Sequence, residues 1–148
     1  MAGKLGPLTV KKITKNVNRD GQRWTPKSRA LILRLPQGLK DELIEQGHAR
    51  GDMARVIIFA LRNVDLDSIP FHSTKNATEL TLSPPQQIYI GATARAAIKQ
   101  AADEHDMSVN LLMIDILTAF FRVLKRDKKL RDELKIHLRA TRGLPIED

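Results

Sequence analysis

A chain of 148 residues and 16.7 kDa has room for one compact domain or two very small ones. With 42% hydrophobic and 28% charged residues it is too apolar for wholesale disorder, and the lack of cysteine excludes disulfides, thiolate metal sites and a cysteine nucleophile. Its 25 Lys and Arg against 17 Asp and Glu give a formal charge of +8, so a polyanionic partner is expected: nucleic acid first, an acidic membrane surface or acidic protein behind it.

The charge is concentrated at the start. Residues 1–29 hold eight bases (Lys4, Lys11, Lys12, Lys15, Arg19, Arg23, Lys27 and Arg29) and the single acid Asp20; residues 30–148 hold 17 bases and 16 acids. Large apolar residues are scarce in this arm and Gly3, Gly6, Pro7, Gly21 and Pro26 interrupt it. It cannot bury enough surface to offset its ordering entropy and is expected to be flexible. No apolar stretch of the roughly 7–15 residues of a signal peptide follows the first lysines. Such an arm tracks phosphates, or serves as a solubilising tail. Trp24 within it is a candidate for stacking on a base or for packing on the core.

Beyond the arm one series of signals occurs twice. Residues 30–35, Ala-Leu-Ile-Leu-Arg-Leu, read as a short strand closed by Pro36, which favours the first turn of a helix. Leu39, Leu43 and Gly47 follow at helical spacing. Gly51 is a candidate helix stop and Asp52 a candidate N-cap for a second helix carrying Val56, Ile57, Ile58, Phe59 and Leu61. After a Pro-, Ser- and Thr-rich linker with a short strand expected at Glu79–Leu82, Gln87-Ile88-Tyr89-Ile90 alternates as a strand does. Gly91 and Ala92 turn the chain. Thr93 is the candidate cap of a helix to about His105, and Ser108 that of a long apolar helix. From Leu111 to Leu124, 11 of 14 residues are apolar, a run too short to span a bilayer. Asp115, Thr118 and Arg122 are expected to form its thin wet stripe. Leu130, Leu134 and Leu138 predict a further amphipathic helix, with Asp127 and Arg131 as an i, i+4 pair.

A lone short strand leaves its backbone groups unpaired, so the two strands are expected to pair as an antiparallel ribbon over the helices. The fold class is therefore mainly α with a two-stranded antiparallel β-ribbon. Leu31, Leu33, Leu35, Ile88 and Ile90 would face inward, and Ala30, Ile32, Arg34, Gln87 and Tyr89 outward. A ribbon of this width enters the DNA major groove.

Leu-Arg-Leu-Pro at 33–36, the Leu39/Leu43 helix, Gly51 and the helix after it resemble the ribbon-helix-helix pattern of the Arc, MetJ and CopG repressors. Ile88-Tyr89-Ile90 with Ser108-Val109-Asn110 resembles it again, and two copies in one chain are similar to TraY-type accessory proteins of conjugative relaxosomes. The resemblance implies an intramolecular pseudo-dimer: a basic arm (1–27), a first unit (28–64), a linker (65–84), a second unit (85–126) and a C-terminal helix and tail (127–148). It implies sequence-specific binding of double-stranded DNA in transcription regulation or conjugative DNA processing, in the cytoplasm of a plasmid-bearing bacterium. A second copy on adjacent DNA, or other DNA-processing proteins, would be the further partners.

Base reading would fall to Ala30, Ile32, Arg34, Gln87 and Tyr89, with Pro85 at the margin. Arg suits guanine and Gln suits adenine, while Ile32 can touch a thymine methyl. Phosphates would be held by Ser108, Val109 and Asn110, by Met53 and Ala54, and by Lys11, Lys12, Lys15, Arg19, Arg23, Lys27 and Arg29 of the arm. Free N–H groups and the helix dipole favour phosphate at Ser108, whereas the carboxylate of Asp52 opposes it. Because the strands present different outward sets, the DNA site is expected to be asymmetric.

His48, His72, His105 and His137 lie more than 20 residues apart and have no metal-ligand spacing. Glu104, His105 and Asp106 are sequence neighbours that point in different directions on a helix. No phosphate loop, zinc motif or nucleophile elbow is present in the sequence, so no enzymatic activity and no cofactor are expected. The rival expectation is a protein-interaction module, antitoxin-like or scaffolding, that docks through the 127–140 helix.

Overall fold

The computed structural model describes residues 30–70 and 81–146. The arm with its seven candidate phosphate contacts and Trp24, and the start of the strand expected at Glu79, lie outside the described residues.

Strand β1 (Ala30–Leu33) and strand β2 (Gln86–Tyr89) pair antiparallel, with Leu31 opposite Ile88 and Ile32 opposite Gln87. Helices α1 (Gln37–Gln46) and α2 (Asp52–Asn63) follow β1; α3 (Ala92–Glu104) and α4 (Val109–Arg126) follow β2. A 3-10 turn (Leu66–Ser68) opens the linker and α5 (Lys128–Thr141) closes the chain. Among the described residues the fold is thus mainly α, with a two-stranded antiparallel ribbon.

The ribbon divides its side chains by parity, as period-two sequences must. Leu31, Leu33, Leu35, Ile88 and Ile90 are buried and join one core with Leu43, Ile57, Ile98, Leu112 and Leu117. Helices α2 and α4 meet at its centre, where Phe59 lies edge-on to Phe120 at 5.9 Å. Helix α4 is enveloped over its first half, all of residues 111–117 being buried. The expected wet stripe therefore loses a member: Thr118 and Arg122 are exposed, but Asp115 is buried on this covered stretch.

Several local expectations shift for identifiable reasons. Helix α3 begins at Ala92, ahead of Thr93, because Gly91 takes φ 90° and makes the corner itself. Likewise Gly51, at φ 86°, is the N-cap of α2 rather than the stop of α1, and Asp52 is the first helical residue. Asp106, at φ 54°, supplies the left-handed turn after α3, where Met107 donates to the Ala102 carbonyl. Of the expected linker strand, the described residues show one bridge, Leu82 opposite Pro36. Pro84 and Pro85 stand between it and β2 and have no N–H to give the ladder.

Arg131 does not pair with Asp127. Its Nη1 donates to the Leu124 and Lys125 carbonyls at 2.8 Å, satisfying the end of α4, while Asp127 accepts from Leu130 N–H and caps α5. Leu134 and Leu138 of α5 are buried against the core, with Leu130 partly buried beside them.

Candidate nucleic-acid interface

Among the described residues, the outer face of the ribbon is open to solvent. Ile32 is 61% exposed and Tyr89 49% exposed, and Gln87 and Arg34 are exposed beside them. Ala30 shares this face by register but is only 5% exposed; its short methyl stands directly opposite the large ring of Tyr89. Four of the five expected base-reading side chains are thus displayed together, and Ala30 is not.

The two strands are related by a specific offset. Leu33 and Leu35, the inward residues of the first strand pattern, stand 55 positions before Ile88 and Ile90, and Ile32 stands 55 before Gln87. Ile32 and Gln87 are also cross-strand partners. Arg34 and Tyr89 are separated by the same 55 positions and lie on either side of this pair.

Arg34 is held from two directions. Its Nε donates to the Ser83 carbonyl at 3.1 Å, while its backbone N–H donates to Asn110 Oδ1 at 2.7 Å and its carbonyl accepts from Asn110 Nδ2 at 3.0 Å. Ser83 is itself fixed, its N–H and hydroxyl both donating to the Leu35 carbonyl. One guanidinium N–H is committed to this anchor, and the Nη1–Nη2 fork carries the other four. At the opposite end of β1, Arg95 Nε donates to the Ala30 carbonyl at 3.0 Å.

The two expected phosphate seats differ. At α4, Ser108 accepts from Leu111 N–H at 3.1 Å and so caps the helix, leaving phosphate attraction to first-turn N–H groups and the helix dipole. The Asn110 carboxamide, expected to contact phosphate, instead occupies the strand edge, because an edge strand has backbone groups that need partners. Val109 is half-buried.

No family model, curated protein or solved structure matches this chain.

At α2 the expected seat on Met53 and Ala54 is closed. Ala54 is 4% exposed and Met53 half-buried, and the Asp52 carboxylate, fully buried, already supplies the anion. It accepts from Ala49 N–H at 3.1 Å, from Arg55 Nη1 at 3.1 Å and from Arg142 Nη2 at 2.6 Å, with Arg142 Nε at 3.1 and 3.2 Å from its two oxygens. The hydrogen bonds from Arg142 hold the carboxyl below its ordinary range despite burial, and Asp52 raises the Arg142 guanidinium in turn. Gly47 permits this packing, since a Cβ there would lie 2.6 Å from the Asp52 Cβ.

These clasps could not be found in the sequence. Asn110 lies 76 residues from Arg34, and Arg142 lies 90 residues from Asp52, with no spacing rule connecting them.

Proposed function

We propose that this chain is a sequence-specific duplex-DNA-binding protein, built as two ribbon-helix-helix units in tandem and reading the major groove with its ribbon. The observation that carries the reading is the outer ribbon face: Ile32, Arg34, Gln87 and Tyr89 stand exposed on strands whose inner face is sealed into the core. The central Ile32–Gln87 pair supports the tandem arrangement, because corresponding positions of two like strands meet at a dyad. A two-stranded ribbon fits a groove about 12 Å wide. Arg34 would read guanine, Gln87 adenine, and Ile32 a thymine methyl, while the α4 N-terminus and the basic arm hold phosphates. The biological setting that fits such a protein is transcription regulation or accessory DNA processing in plasmid transfer.

Selection of bound sequences from random duplex DNA tests the reading. The expected core site is asymmetric, because the dyad position itself pairs an aliphatic side chain with an amide. Recovery of no sequence preference would overturn the reading, and a perfect inverted repeat would overturn the expected asymmetry.

A further inference from the structure

The chain beyond the arm is itself divided in charge. Residues 30–121 hold eight bases and eleven acids, whereas residues 122–142 hold nine bases and three acids. Most of the second set lies on α5 or at the end of α4 that leads into it.

Helix α5 is fastened at both ends by arginines. Arg131 is tied to the last carbonyls of α4, and Arg142, just past the helix, grips Asp52 at the start of α2. Between these clamps Lys128, Lys135 and Arg139 are exposed. Their spacing of seven and four residues puts them on one face of the helix, with the exposed Asp132 on the same face between Lys128 and Lys135, so that the face carries three cations and one anion. Leu134 and Leu138 hold the other side in the core. The cationic face is thus presented on a fixed rod, about 16 Å from Lys128 to Arg139 along the axis.

We propose that this face of α5 is a second phosphate-contacting surface, engaging duplex DNA that flanks the site read by the ribbon. The inference rests on the duplex-binding reading and extends it to a specific element. Its occupant follows from charge and position. The acidic character of residues 30–121 gives that part of the chain no general attraction for a polyanion. The stripe leads to the α2 N-terminus, where Asp52 has closed the seat at which the tandem reading expects phosphate. The cations of α5 supply beside that terminus the attraction it lacks. A stripe about 16 Å long spans several phosphates at about 3.4 Å of axial rise per strand.

The test compares the full chain with its Lys128→Gln/Lys135→Gln/Arg139→Gln variant on two duplexes carrying the selected site. One is trimmed to that site and the other is extended at both ends. The expected result is at least tenfold weaker binding of the variant to the extended duplex. Its salt slope should fall by about two to three, at about 0.9 for each phosphate left unneutralised. Binding to the trimmed duplex should change less than twofold. Lys129→Gln, off the stripe, should leave both affinities unchanged, and the far-ultraviolet circular dichroism of the triple variant should match the parent. Equal affinities and equal salt slopes of variant and parent on the extended duplex would overturn the proposal while the ribbon reading stood. A parent chain that retained no duplex from the random pool would overturn both.

Discussion

The carboxamide of Asn110 takes both backbone hydrogen-bonding groups of Arg34, as a neighbouring strand would. The two residues belong to different halves of the chain, so the first turn of α4 fixes the end of β1. Replacing Asn110 with Ala removes two hydrogen bonds at a strand edge and should cost about 1–2 kcal/mol of stability. The diagnostic signal is faster hydrogen exchange at the Arg34 amide. An unchanged exchange rate would mean that the clasp does not hold the strand in solution.

Asp52 predicts a particular acid response. Its folded pKa lies below the ordinary 3.8, so the folded state stabilises the charged form. That contribution is complete above the unfolded value and is lost as pH falls through the lower folded value. Asp52→Asn should therefore be less stable than the parent at neutral pH, with the gap closing progressively below about pH 3.8. Urea midpoints of the two proteins across the acid range measure the difference. A gap independent of pH would exclude an ionised Asp52.

Gly47 is required by its neighbour rather than by its own backbone, which at φ −160° suits any residue. An added methyl would lie 2.6 Å from both Cβ and Oδ2 of Asp52. Gly47→Ala should destabilise by about 1–3 kcal/mol through overpacking. In an Asp52→Gly background the same change should cost much less. A double-mutant cycle with no coupling would show that the corner relaxes by another route.

On DNA, Arg34 and the basic arm should separate in their effects. Arg34→Ala should lower discrimination between the selected site and a mutated one by about 1–3 kcal/mol. Neutralising Lys4, Lys11, Lys12, Lys15 and Arg19 should weaken binding to every duplex and lower the salt slope by about 0.9 for each phosphate the arm no longer neutralises. Titrations of specific and random duplexes at several salt concentrations distinguish the two. An equal effect of both changes would contradict the division between reading and attraction.

Period and parity made the architecture readable. The Leu31/Leu33/Leu35 and Ile88/Ile90 alternation marks the inner ribbon face, and Leu39/Leu43 and Leu134/Leu138 mark helix faces that are indeed buried. These signals are local, arising from repeats of two or of about 3.6 residues. What escaped them depends on neighbours brought in by folding. Asp115 has the spacing of a surface residue but lies where α4 is covered on all sides. Arg131 has the spacing of an ion pair but finds the carbonyls at the end of α4 closer to hand. Ala30 has outward parity, but its small side chain stays shielded. The chemistry of the two helix N-termini was only half legible: the carboxylate of Asp52 signals a poor phosphate seat, but nothing near it signals Arg142.

The pairing of Ile32 with Gln87 has an evolutionary consequence. In a ribbon assembled from two identical chains, every substitution on the outer face arises twice, and the central position must tolerate facing itself. Here both strands belong to one polypeptide, so the central pair can differ and each outward position can mutate without altering its counterpart. Drift or selection can thus adjust the outer face of one strand at a time. Pairing within one chain also makes formation of the ribbon unimolecular, so its stability should not vary with protein concentration.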